Sequence, residues 1–182
     1  MADKSESEPR RRDSGPLSAA VREVEAHAAA AGWDRPAALF ALVPTDQLLA
    51  KEPQLAVSIG LEPATAAGSL TPVTQEPLAS GQSFEKSLEQ VGWPAEVVGA
   101  AVVLERVVLP PAAERHVPTD PQQAARYAAT HPDRQDVRMA AGVLRDGRAH
   151  CVLRIRSHDD AIVEGPELMP DLVRILAATM QD

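Results

Sequence analysis

Cysteine is nearly absent. Cys151 stands alone among 182 residues, so neither an intramolecular disulfide nor a cysteine-rich zinc site can form, and a reducing compartment fits. Aromatic residues are almost as scarce, with Trp33, Phe40, Phe84, Trp93 and Tyr127 the full set, which leaves little for base stacking. Positive charge is also in deficit. The 18 Lys and Arg against 26 Asp and Glu give a net charge of −8, and phosphate neutralisation needs the opposite balance. Long apolar runs are missing too. The longest, 97–104, falls far short of a membrane span, and the charged opening MADKSESEPRRRDSGP has no apolar core for a secretory signal. These absences predict a cytoplasmic protein with neither nucleic acid nor membrane as partner.

The charge that is present is unevenly spread. Residues 98–158 carry nine basic and six acidic side chains, whereas 159–182 carry one and six. The middle of the chain is a basic island in an acidic protein. At this length the chain can bury roughly 70% of the surface it would expose unfolded, so no metal or partner is needed to explain folding.

Residues 1–16 are polar and charged, and are expected to be a disordered tail. Pro16 can open a helix, since its missing N–H costs nothing in the first turn. Leu17, Val21, Val24, Ala28 and Ala31 continue it at helical spacing to a left-handed stop at Gly32. Residues 38–43 are short, apolar and bounded by Pro44, which reads as a buried strand, and Thr45 is expected to cap a short helix after it. Six Pro and Gly residues across 60–82 predict a long irregular loop. Ser83 should cap a helix ending at Gly92. The strand over 98–109 is apolar on both faces as far as Glu105, as expected of an interior strand covered on both sides. A helix over 121–130, strands over 136–145 and 148–157, and a last helix over 167–181 complete the chain.

Asp146-Gly147 is a hairpin dipeptide. Read as a two-residue turn, it sets Val143 opposite His150, Ala141 opposite Val152, Met139 opposite Arg154 and Val137 opposite Arg156. One face of the hairpin is then small and apolar and should lie under a helix. The other is half apolar and half basic, with Met139, Val143, His150, Val152, Arg154 and Arg156 as candidate binding residues. Another element could close this mixed face, with Glu105 neutralising Arg154, or it could be an open groove for an acidic, partly apolar partner.

No motif specifies a reaction: G-x-S-x-G, the P-loop, the dinucleotide fingerprint and H-E-x-x-H are all absent. The five histidines show no ligand spacing. The best polar cluster surrounds His158, Asp159 and Asp160, where an imidazole beside two carboxylates could hold a divalent ion or act as a general base. Acids are equally expected there, in a loop between a strand and a helix. Neighbours on a strand point to opposite faces, so His150 and Cys151 cannot form a dyad, and Cys151 reads as a small core residue.

Several strings are suggestive when taken in order: Val21-Arg22-Glu23-Val24-Glu25, Ala31-Gly32-Trp33-Asp34, Leu39-Phe40-Ala41-Leu42-Val43-Pro44-Thr45, Leu70-Thr71-Pro72-Val73, Gly92-Trp93-Pro94, Glu105-Arg106-Val107-Val108-Leu109-Pro110-Pro111, His131-Pro132-Asp133-Arg134 and Ala141-Gly142-Val143-Leu144-Arg145-Asp146-Gly147. Together the chain resembles an uncharacterised family of actinobacterial proteins of about this size. The resemblance covers nearly everything after the tail and implies no catalytic residues.

The expected fold is α+β: one antiparallel sheet of about four strands, helices mainly on one face, in the order α-β-α-β-α-β-β-α, with 17–182 as one domain. The expected function is a non-enzymatic protein-binding or adaptor module, chaperone-like, without cofactor, acting on a protein partner or self-associating as a homodimer. The alternative is a small metal-assisted hydrolase centred on His158, Asp159 and Asp160.

Overall fold

The computed structural model describes residues 15–58, 60, 67–78 and 83–181. The expected N-terminal tail, apart from its last two residues, and positions 61–66 and 79–82 of the expected loop lie outside them. The chain runs α1 (Pro16–Ala30), β1 (Ala38–Pro44), α2 (Thr45–Lys51), α3 (Pro53–Ser58), β2 (Leu70–Thr74), α4 (Phe84–Leu88), β3 (Gly99–Val108), α5 (Pro111–Glu114), α6 (Pro121–Thr130), β4 (Gln135–Leu144), β5 (Ala149–Ile155), β6 (Ile162–Gly165) and α7 (Pro170–Ala178).

The fold is α+β with one antiparallel sheet, but the sheet has six strands, in the order β2-β1-β3-β4-β5-β6. The two additional strands are its edges. β2 arises inside the segment expected to be an irregular loop, and β6 lies in the stretch expected to lead directly into the last helix. β3, apolar on both faces, occupies the interior position that its pattern predicts.

The helices are not gathered on one face. α1 packs against Phe40, Leu42, Ala101, Val103, Ala140 and Val152 on one side of the sheet. On the other side, Leu39, Val102, Ala141, Val143 and Cys151 cluster with Trp93, Leu176 and Met180, which brings α7 over that face. The sheet is therefore sandwiched, and alternate residues of each central strand belong to different cores. Close approach of α1 depends on Gly142, where an added Cβ would lie 2.5 Å from Val21 Cγ2.

Local chemistry explains the element ends. Pro16 stands in the first turn of α1, and Gly32 takes φ +89° just past its end. Ser83 caps α4 by accepting from Lys86 N, and Asp120 caps α6 by accepting from Gln123 N at 2.9 Å. Thr45 is instead the first residue of α2, with Pro44 at the cap, and its hydroxyl meets the Thr71 hydroxyl of β2 at 2.9 Å.

The hairpin differs from expectation by one residue, with large consequences. Gly147 takes φ +88° as the third residue of an Arg145-Asp146-Gly147 loop. Gly147 N donates to Leu144 O at 3.0 Å, and Leu144 N donates to Arg148 O at 2.9 Å. This three-residue loop is the next commonest hairpin solution after the two-residue turn. Val143 therefore pairs with Ala149, Ala141 with Cys151, Met139 with Leu153 and Arg138 with Arg154. A shift of one residue exchanges the faces of a strand relative to its partner.

Candidate functional site

At one end of the sheet, on the α1 side, the register aligns Glu105 of β3, Arg138 of β4, Arg154 of β5 and Ile162 of β6 in one cross-strand row. Two guanidiniums side by side would repel if left alone. Glu25 of α1 descends between them. Its carboxylate takes both Nε and Nη2 of Arg154, at 2.6 and 2.8 Å, and lies 3.7 Å from Arg138 Nη1. Glu105 takes Arg138 Nη2 at 3.1 Å. Arg138 and Glu25 are 1% and 2% exposed, so both charges depend on this pairing for their solvation.

The corner after α1 seals the row. Trp33 lies over the Arg138 guanidinium at 4.2 Å, and Arg156 approaches the same ring at 5.5 Å, as cation–π contacts. Trp33 Nε1 donates to Asp159 Oδ1 at 3.2 Å. Arg138 Nη2 also donates to Gly32 O at 2.6 Å, so a strand side chain ties off the end of α1. Asp34, in the left-handed region at φ 64°, holds both terminal nitrogens of Arg156 at 3.1 and 3.2 Å. Its backbone N–H donates to Glu105 Oε2 at 2.7 Å.

A second polar group lies farther along the same face. Glu164 of β6 takes Nε and Nη2 of Arg22 at 2.6 and 3.0 Å and meets His150 Nε2 at 3.4 Å. The hydrogen bonds from Arg22, aided by His150, hold the Glu164 carboxyl below the usual range. On the opposite face, burial pushes the Cys151 thiol up, as befits a core residue.

The six residues expected to share an open mixed face do not share one. His150, Val152 and Arg154 point to α1 with Arg138, whereas Val143 belongs to the core beneath α7, and Met139 packs against that core. Val143, His150 and Val152 are each at most 2% exposed, and only Arg156 of the six is exposed. The physical reason is the three-residue turn, which pairs residues one step away from the two-residue register. Glu105 neutralises Arg138, and Glu25 takes the part expected of Glu105 at Arg154. His158 hydrogen-bonds Ser157 through Nδ1 at 2.9 Å, and Asp159 is engaged by Trp33. Among the described residues, no three His, Cys, Asp or Glu side chains converge as a metal site.

Glu25 is the residue that sequence reading passed over, and the signal was available. It follows Val21 by four positions and precedes Ala28 by three, so a carboxylate sits on the apolar stripe of α1.

Residues 17–181 match the model of the PPA1309-like protein family. The chain belongs to that family. No curated protein and no solved structure matches it. The resemblance seen in the ordered sequence strings is therefore to a real family, one without an assigned activity. Among the described residues, no helix is long and apolar enough to cross a membrane.

Proposed function

We propose that the chain is a non-enzymatic protein-binding module whose docking edge is β6. One observation carries the reading. Of the two sheet edges, β2 is protected by Pro72 within the strand, whereas β6 has neither proline nor lysine and leaves Ile162 and Val163 40% and 54% exposed. Leu168, also exposed, lies beside Gly165 at the strand end and extends the apolar strip. Such an edge can take an extended segment by main-chain hydrogen bonding, with side chains read alternately on the two faces.

Charge favours another protein over a second copy as the occupant. Asp159 and Asp160 precede β6, and Glu167 and Asp171 follow it. Antiparallel pairing of two β6 strands about Val163 and Glu164 would set Asp160 across from Glu167 twice over, which is repulsive. An extended apolar segment flanked by Lys or Arg has no such penalty. The Arg–Glu cluster and Trp33 fit a supporting role, because they fix β5 and α1 behind the edge.

The test is selection of a displayed random-peptide library on the full chain, repeated with Val163→Lys. Enrichment of alternating apolar peptides with basic flanks, weakened at least about tenfold by Val163→Lys, supports the reading; tenfold corresponds to about 1.4 kcal/mol. Failure to enrich, or equal capture by both proteins, overturns it. A dimer in solution that Val163→Lys dissociates would replace the partner with a second copy.

A further inference from the structure

A cleft of about 260 Å³ opens between the last turns of α1, the corner after it and strands β1 and β3. Its walls are apolar: Phe40 and Val103 rise from the sheet, Ala28 and Ala31 come from the helix, and Pro36 closes one side. His27, Arg35, Thr74, Glu105 and Arg138 supply the polar part of the lining. We infer that this cleft binds a small organic anion, a carboxylate carried on a compact apolar body, with Arg35 holding the charged group.

Size and lining decide the body. An apolar cavity of roughly 150 Å³ accommodates benzene, so a cleft of about 260 Å³ suits an acid of roughly ten non-hydrogen atoms. Five polar side chains, His27, Arg35, Thr74, Glu105 and Arg138, interrupt an otherwise apolar lining, a mixture usual in a small-molecule site.

The sign of the charge follows from how the ionic groups are already employed. The lining has two guanidiniums and one carboxylate. That carboxylate is already engaged: Glu105 accepts from Asp34 N, Arg35 N and Arg138 Nη2 at 2.7, 3.3 and 3.1 Å. A ligand cation would have to displace these donors. The guanidiniums are less fully used. Arg35 donates only to the Ala31 carbonyl, at 3.0 and 2.7 Å, with no carboxylate partner among the described residues. Arg138 Nη1 is buried without a hydrogen-bond acceptor among the described residues, although Glu25 lies 3.7 Å away. Arg35 is therefore the charge left for a ligand: a fixed cation without a carboxylate partner among the described residues, beside an apolar wall, favours an anion. The site is separate from the β6 edge, so either assignment can fail without the other.

The experiment is titration of the full chain with phenylacetate, phenylacetamide and phenethylammonium, followed by amide chemical shifts and calorimetry. Phenylacetate is expected to bind saturably, with shifts centred on 28–36 and 103–105. The neutral amide should bind at least about tenfold more weakly and the cation more weakly still. Arg35→Gln, at an exposed position, should weaken phenylacetate about tenfold without altering the melting temperature by more than a few degrees. Ala31→Leu should fill the cleft and abolish binding while the other amide shifts stay native. Absence of saturation below about 10 mM, equal binding of acid and amide, or unchanged affinity in Ala31→Leu overturns the inference; 10 mM corresponds to only about −2.7 kcal/mol, below what so small a ligand should reach in a formed site.

Discussion

Arg138 and Arg154 stand directly opposite one another on β4 and β5, and the carboxylate of Glu25 is what allows it. Removing the shared counter-charge leaves two cations adjacent, one of them fully buried. Glu25→Gln is expected to destabilise the fold by about 3–5 kcal/mol, the usual cost of breaking a buried pair from one side. Urea denaturation measures it. Adding Arg154→Met to Glu25→Gln should restore part of the loss, because the double variant has only Arg138 to satisfy, with Glu105 still beside it. Equal stability of the single and double variants would show that the pair is not coupled through Glu25.

Gly142 sets the distance between α1 and the sheet. An added Cβ would meet Val21 Cγ2 at 2.5 Å and Leu17 Cδ1 at 3.1 Å. Gly142→Ala should therefore cost about 1–3 kcal/mol by overpacking, despite the better strand propensity of alanine. Shortening the partner should relieve it: Gly142→Ala with Val21→Ala is expected to lose less than the separate losses added together. A thermal-unfolding cycle on the four proteins decides this, and additive losses would place the strain elsewhere.

Glu164 makes stability depend on acid. Its carboxyl titrates below the ordinary range in the folded protein, chiefly through the hydrogen bonds from Arg22. A depressed folded value means that the contribution is complete above the unfolded glutamate range and is lost as pH falls through the folded value. Glu164→Gln should lower stability at pH 7 by about 2 kcal/mol, the scale of hydrogen bonds to a charged group. The difference from the unmodified protein should shrink as pH is taken from 6 towards 3. A constant difference across that range would remove Glu164 as the linked group.

The parts of this fold legible in the sequence are those whose signals are local. Pro16, Ser83 and the doubly apolar strand 98–109 announced α1, α4 and β3 because capping and two-sided burial act on neighbouring residues. β2 and β6 were hidden for a shared reason: each is an edge of at most five residues, paired on one side, in a segment whose Pro, Gly and acidic residues also suit a loop. The hairpin dipeptide marks the turn, but the choice between two and three loop residues depends on the backbone angle of Gly147, which the letters do not carry. That choice moved Val143 and Met139 away from His150, Val152 and Arg154, and dissolved the mixed face. The ionic row was half visible. Its cations lay in the basic island, whereas its central anion came from a helix more than a hundred positions earlier.

The sandwich also sets an order of events during synthesis. α1 precedes its partners on β4 and β5 by more than a hundred residues, and α7, which covers the other face, follows them all. Contacts so distant in sequence form slowly. The side of the sheet bearing Val102, Ala141 and Cys151 is covered above all by α7, the last element in the fold's order. A chain cut short before α7 would therefore present that apolar face to its surroundings.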